Sequence, residues 1–357
     1  MTAVLFVAGL VLLVVGAEFL IKGAGRLAAA AGVSPLVVGL TVVAFGTSAP
    51  ELAVSVKSAF ADQAGIAVGN VVGSNIFNVL FILGIAALVA PLAVAQQLIR
   101  IDVPLMIAVS VLMYLFALDG IFTRGEGAAL FAGLLAYIGF LIRQSRRESK
   151  AVQQEYAQEY GAPKGGSKSH WLMNVALVVG GLILLVLGST WLVDSAVTIA
   201  QRFGVSDLII GLTIVAAGTS LPELVTSIIA GIRGERDIAV GNVIGSNLFN
   251  IMGVLGLASI IAPSGIAVAS AAIVFDIPVM IAVAFACLPI FFTGGTISRW
   301  EGALLLGYYL AYTAYLILYA TQHDMLPVFS MAMLYFVLPL TALTLAIVTV
   351  QAVRKRP

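Results

Sequence analysis

Gly39-Leu-Thr-Val-Val-Ala-Phe-Gly-Thr-Ser-Ala-Pro-Glu51 sets a carboxylate, hydroxyls, a glycine and a proline inside an otherwise membrane-grade apolar run, and the chain writes it twice. The second copy is Gly211-Leu-Thr-Ile-Val-Ala-Ala-Gly-Thr-Ser-Leu-Pro-Glu223. At the same distance after each copy comes a second shared string. It reads Gly69-Asn-Val-Val-Gly-Ser-Asn-Ile-Phe-Asn78 in the first half and Gly241-Asn-Val-Ile-Gly-Ser-Asn-Leu-Phe-Asn250 in the second. The duplication makes the two halves related units and gives Glu51 and Glu223 equivalent places in them.

Around these strings the 357-residue chain is 61% apolar and only 10% charged, against about a quarter charged in soluble domains. The apolar blocks are about 20 residues long, enough for an α-helix to cross roughly 30 Å of hydrocarbon, and none alternates as a membrane barrel strand would. The expected fold is an all-α integral membrane protein. Spans read at residues 2–20, 34–60, 66–90, 103–118 and 127–142, then 171–193, 206–232, 238–262, 272–292 and 302–319, with an eleventh at 327–350. The first block has no basic leader and is too long for a signal-peptide core, so it reads as a retained span. Residues 143–170 form a polar connector whose end, Gly161-Ala-Pro-Lys-Gly-Gly-Ser, reads as flexible. The expected units are therefore a five-helix repeat over 1–142, the connector over 143–170, a second five-helix repeat over 171–320, and an extra span with a basic tail over 321–357.

Lysine and arginine orient the path, because cytoplasmic loops carry an excess of them near span ends. With the connector inside, eleven spans also put Lys22, Arg26, Arg100, Arg233, Arg236, Arg299 and Arg354-Lys-Arg356 on the cytoplasmic side. Arg124 and Arg202 fall outside, and Lys57 snorkels from the outer part of the second span. The N-terminus is then outside and the C-terminus inside, in a cell (inner) membrane. Five spans is an odd number, so the second copy inserts upside down, as in the inverted repeats of secondary transporters whose substrate site lies near the midplane. Matched end signals agree: Asp102-Val-Pro104 answers Asp276-Ile-Pro278, and Thr123-x-x-Glu126 answers Ser298-x-x-Glu301. All four acids read as helix N-terminal caps, the last two with capping-box spacing.

A charge at bilayer depth costs from about 3 to over 10 kcal/mol. No basic residue lies at the depth of Glu51 and Glu223, so either they are protonated or a cation from solution neutralises them. Gly46 and Pro50 disturb the preceding turn, and irregular backbone is tolerated at that depth only where it lines a cavity. Carbonyls around Ala44 and Phe45, and Ala216 and Ala217, become candidate ligands, and Thr47, Ser48, Thr219 and Ser220 add hydroxyls one turn from each acid. Calcium takes six to eight oxygens, and soft metals are disfavoured where no Cys, His or Met accompanies the acids. One calcium or two sodium ions neutralise the same two charges, so the ions compete. Ser74, Asn78, Ser246 and Asn250 come from neighbouring spans, each Ser-x-x-x-Asn pair on one helical face. They read as adjoining neutral sites for a monovalent ion, or as interhelical hydrogen-bonding positions. Glu18 and Asp194 read as solvated span ends, Cys287 as a small buried hydrophobe, and His170 and His323 as loop residues without metal-ligand spacing. No phosphate-binding glycine loop is present, so neither ATP nor a cofactor is expected. The expected partners are calcium and sodium ions and the lipid bilayer, not nucleic acid.

At these residues the chain resembles the cation/calcium exchanger superfamily, specifically its bacterial and archaeal sodium/calcium exchanger branch. The likeness covers the ten-span body and rests on Gly-Thr-Ser-x-Pro-Glu and Gly-Ser-Asn-x-Phe-Asn in both halves. It implies a sodium/calcium antiporter rather than an enzyme, with ion sites between the second, third, seventh and eighth spans and sliding of the first and sixth. It also implies as ion ligands Glu51, Glu223, Thr47, Ser48, Thr219, Ser220, Ser74, Ser246, Asn78 and Asn250, with carbonyls near Ala44 and Ala216. The chain departs from the pattern at Asn250, where well-known members carry aspartate, and in its eleventh span, which packs peripherally or mediates assembly. Calcium/proton exchange, potassium-dependent exchange and a passive cation channel are the alternative readings, and the hydroxyl-rich pocket suits sodium.

Overall fold

Apolar segments in lipid become helices because only there does one segment satisfy all its own backbone N–H and C=O groups. The computed structural model describes residues 2–31, 33–60, 64–145, 168–205, 207–210, 213–214 and 216–354. One span is broken into α2 (Pro35–Thr47) and α3 (Ala49–Phe60), bent by 47°. Among the described residues nine further helices are long and apolar enough to cross a membrane. They are α1 (Thr2–Ala30), α4 (Gly65–Val89), α5 (Leu98–Ala117), α6 (Arg124–Ser145), α7 (Trp171–Arg202), α9 (Arg236–Ile261), α10 (Ala272–Phe292), α11 (Arg299–Ala320) and α12 (Leu326–Val348). The shorter α8 (Leu221–Ile232) carries the end of the second signature copy. Most of the expected connector, residues 146–167, lies outside the described residues, as do Ser206, Gly211, Leu212, Val215 and the tail residues Lys355, Arg356 and Pro357.

The two halves interlock where glycines let backbones touch. A Cβ added to Gly9, Gly16 or Gly23 of α1 would meet the carbonyl oxygens of Gly188, Gly181 and Asn174 of the α7 region at 2.8, 2.8 and 2.9 Å. Partner numbers fall as α1 numbers rise, so the corresponding first helices of the two halves run antiparallel. Similar crossings tie α4 to α11 and α6 to α9. A Cβ on Gly302 would lie 2.8 Å from the Gly84 carbonyl, and one on Gly127 would lie 2.7 Å from that of Gly256. Small residues at such crossings maximise van der Waals contact where lipid supplies no hydrophobic drive.

Short strands latch the loops. β1 (Leu92–Ala93) pairs antiparallel with β4 (Thr296–Ile297), and β2 (Ile121–Phe122) with β3 (Ile266–Ala267). At two residues each they are too short to show an alternating pattern in sequence.

Three sequence expectations are corrected by the fold. Thr123/Glu126 and Ser298/Glu301 do form capping boxes, but Asp102 and Asp276 cap nothing. Wide π-helical turns, Leu98–Asp102 and Ala272–Asp276, begin the helices upstream and run continuously into the segments after the acids. The buried Asp102 accepts instead from Tyr137 Oη at 2.8 Å and Gln97 Nε2 at 3.1 Å, and Asp276 accepts from Tyr312 Oη at 3.1 Å. Glu18 is not at a span end. The alanine-rich stretch after Leu20 keeps α1 helical past the apolar block, which leaves Glu18 in mid-helix, where it pairs with Arg233. Asp194 is exposed but likewise interior to α7, which runs on to Arg202. The last span, α12, lies at the periphery, with none of its apolar stretch buried, and Tyr308 Oη bonds Thr341 Oγ1 on it at 2.7 Å.

The α1–α7 seam is testable. A Cβ on Gly181 would sit 2.6 Å from the Leu20 nitrogen, so Gly181→Ala is expected to destabilise by about 1–3 kcal/mol through overpacking. Gly180 has open space on its side, and Gly180→Ala is expected to stay within about 0.5 kcal/mol of the parent in thermal unfolding of detergent-purified protein.

Candidate ion-binding site

Proline makes the site by omission. Pro50 offers no N–H to the Gly46 carbonyl four residues back, and Pro222 none to that of Gly218, so each span breaks just before its proline. The break residues have nearly the same backbone: Ser48 at φ −81°, ψ 9° and Ser220 at φ −90°, ψ 10°. Each helix restarts with its glutamate in the first turn, where the free N–H groups and the macrodipole favour negative charge. Glu51 and Glu223 are both 0% exposed.

The two breaks serve one another. Ser48 Oγ donates to Glu223 Oε1 at 2.9 Å, and Ser220 Oγ donates to Glu51 Oε1 at 2.8 Å. Ser74 joins the cluster, with its Oγ 3.2 Å from that of Ser220. The hydroxyl of Thr47 lies 3.1 Å from the Val43 carbonyl and 3.1 Å from Asn242 Oδ1. Ala44 departs from expectation: its carbonyl is not freed, since the Ser48 amide still donates to it at 3.0 Å, and the carbonyl deprived by proline is that of Gly46. Ala216 and Ala217 lie in the short helical turn Ala216–Gly218 just before Thr219. Phe45 packs its ring edge-on against Phe249 at 5.1 Å.

Certain oxygens in this region lack partners. Glu51 Oε2, Glu223 Oε2, Asn78 Oδ1, Asn250 Oδ1, Ser246 Oγ and Thr219 Oγ1 are all buried without a hydrogen bond. A buried polar atom left unpaired costs about 1–3 kcal/mol, so these six oxygens are the ones available to a cation or to water. Every one is an oxygen, which suits calcium or sodium and not a soft metal. Among the described residues no group of three or more His, Cys, Asp or Glu occurs, so negative charge here comes from the two glutamates alone.

Several residues outside the two acids and their neighbouring hydroxyls also shape this region. Asn70 Nδ2 donates to the Glu51 carbonyl at 3.1 Å and Ser55 Oγ at 2.9 Å, and Asn242 Nδ2 to the Glu223 carbonyl at 3.4 Å and Ser227 Oγ at 3.1 Å. These asparagines brace the helix turns that carry the acids. Their signal was present as the Gly-Asn that opens both copies of the second string. Thr226, another buried hydroxyl without a partner, occupies the place where the first copy has Val54, so the duplication gives no sign of it.

Known proteins resemble most of the chain. The chain matches the family described as sodium/calcium exchanger protein over residues 1–143 and 173–318. The CaxA protein of Alkalimonas amylolytica is 44% identical over 279 residues, covering 77% of this chain and 85% of its own. Sodium/calcium exchanger MaX1 of Methanosarcina acetivorans is 34% identical over 304 residues, covering 77% of this chain and 86% of its own. The solved sodium-calcium exchanger NCX_Mj, soaked with zero Na+ and Ca2+, superposes with a TM-score of 0.74 at 30% identity, covering 88% of this chain and 98% of that one.

If the asparagine braces hold the acids in place, Asn242→Leu should weaken calcium binding about tenfold and lower stability by about 1–3 kcal/mol, through loss of its bonds to the Glu223 carbonyl and the Ser227 hydroxyl. Calorimetric titration and thermal unfolding of the same preparation check both.

Proposed function

Since the chain belongs to the sodium/calcium exchanger protein family, we propose that it is a secondary active antiporter exchanging sodium for calcium across the membrane, the ions competing for a midplane site built on Glu51 and Glu223. The observation that carries this reading is the reciprocal pair. Each fully buried carboxylate takes one serine hydroxyl from the opposite half and keeps its second oxygen unpartnered.

Calcium takes both glutamates, with Thr47, Ser48, Thr219, Ser220 and main-chain carbonyls of the two breaks, those that Pro50 and Pro222 leave without a helical donor, filling its coordination shell. Sodium ions use the same two charges and extend into the neutral oxygens of Ser74, Asn78, Ser246 and Asn250. Either load, one divalent or two monovalent ions, cancels the charge that would otherwise be costly in a low-dielectric setting. Exchange follows because neither ion binds without displacing the other. The glycine seam supports α1 and α7 sliding as one body across the remaining helices to expose the site alternately to each side. The repeats, 1–142 and 171–320, then insert in opposite senses, with the N-terminus outside and the connector and C-terminus in the cytoplasm. A cell-membrane location is supported by the relative named inner membrane protein YrbG of Escherichia coli, 39% identical over 255 residues.

A sodium gradient imposed on vesicles containing the purified protein is expected to drive calcium uptake, and uptake indifferent to that gradient would overturn the reading. A pH gradient that substitutes for sodium would favour calcium/proton exchange instead, and single-channel currents without a counter-ion would favour a channel. Glu51→Gln and Glu223→Gln keep the shape and lose the charge. Each is expected to reduce transport to below about 1% of the parent, the factor that some 3 kcal/mol of lost ion interaction implies, with a monodisperse, folded protein.

A further inference from the structure

A carboxamide has two ends that look alike in shape and differ in chemistry: the oxygen accepts, and the nitrogen only donates. Asn78 and Asn250 can serve a cation only if their oxygens face it. We propose that Asn75 and Asn247 are positioning residues that fix this orientation, so that the two halves between them present two neutral, outward-committed oxygens to the ion. The proposal rests on the exchanger reading above and deepens it.

A main-chain carbonyl accepts hydrogen bonds and cannot donate them. Asn75 Nδ2 lies 3.3 Å from the carbonyl oxygen of Asn247, so that end of the Asn75 side chain must be the nitrogen. The Asn75 oxygen is thereby turned the other way, where Asn250 Nδ2 donates to it at 3.1 Å. With its nitrogen committed, Asn250 is left with Oδ1 buried and without a partner. The other half repeats the logic. Asn247 Nδ2 donates to the Asn75 carbonyl at 3.4 Å, its Oδ1 accepts from Asn78 Nδ2 at 3.0 Å, and Asn78 Oδ1 is left unpartnered. Two main-chain carbonyls thus determine which way four side chains point.

Flipping Asn78 or Asn250 would set its oxygen against the oxygen of Asn247 or Asn75, acceptor against acceptor, and turn two N–H groups toward the cation. Burial keeps water from repairing the loss, since Asn75 and Asn247 are 2% exposed and Asn78 and Asn250 are 0% exposed. The remaining amide protons of the two bracing residues reach methionine sulfurs, Met280 Sδ from Asn75 at 3.6 Å and Met106 Sδ from Asn247 at 3.5 Å. Those contacts tie the cluster to α10 and α5. Asn78 and Asn250 also each open a π-helical turn, Asn78–Ile82 and Asn250–Leu255, a local widening that often marks functional positions in helices. The bracing residues never touch the ion. They act through the carboxamide next to them.

A double-mutant cycle separates this role from simple packing. Asn247→Leu keeps the volume and removes the acceptor that holds the Asn78 amide. It is expected to raise the sodium concentration for half-saturation about tenfold, as is Asn78→Ala, and the double variant is expected to show about tenfold as well rather than about a hundredfold. Should Asn247→Leu not fold, Asn75→Leu with Asn250→Ala gives the mirror cycle, read for the same lack of additivity. Additive effects in either cycle overturn the proposal. Sodium isotherms on purified protein provide the readout alongside flux. An unaltered protein that binds sodium but shows no sodium-driven calcium uptake would therefore sink the exchange reading while leaving the cycle decisive.

Discussion

Two carboxylates removed from water into a low-dielectric slab are the constraint on which the rest of this structure depends. Glu51 and Glu223 have no exposure, and each is held by a single serine from the opposite half. Serine hydroxyls soften the burial of a carboxylate without cancelling its charge. The local architecture follows from that need. Prolines break the spans so that each acid sits in a first helical turn, asparagines from the next span brace those turns, and glycine crossings bring the halves close enough for the breaks to exchange hydrogen bonds. Remove the duplication and either acid would lose its partner serine.

Around the charged pair lies a tier of neutral oxygens, and its composition gives the chemistry its direction. Hydroxyls and carboxamides bind hard cations weakly enough to release them, and they add no charge that a departing ion must leave uncompensated. Asn250 extends this neutral tier at a position where a carboxylate would have added a third charge. The bracing asparagines supply rigidity, because a carboxamide free to turn over would present protons to a cation as readily as oxygen.

Much of this was legible in the sequence, for identifiable physical reasons. Membrane helices declare themselves through length and hydropathy, and a repeated polar string in an apolar run shows where two halves must meet. Ser48, Ser220 and Ser74 gather at the two acids, and Asn78 and Asn250 each bond an asparagine of the opposite half. The misreadings have causes too. Asp-x-Pro resembles a helix start, but Leu98 and Ala272 begin their helices a turn earlier through wide π turns, which frees Asp102 and Asp276 to take tyrosine hydroxyls from α6 and α11. The apolar block of α1 ends before its helix does, because alanine continues a helix without adding much hydropathy, so Glu18 looked terminal and is not. Asn70, Asn75, Asn242 and Asn247 were visible as repeated letters, yet their roles are tertiary: whether an asparagine braces a carbonyl or faces an ion depends on which helix crosses it.

Competition between calcium and sodium on the purified protein tests the joint site most directly. Two glutamates holding one pool of counter-charge predict a single calcium per chain, displaced by sodium with a dependence steeper than first order and lost in either glutamine variant. Calcium binding that persists unchanged in saturating sodium, or that survives with one glutamate neutralised, would contradict a site shared by the two halves.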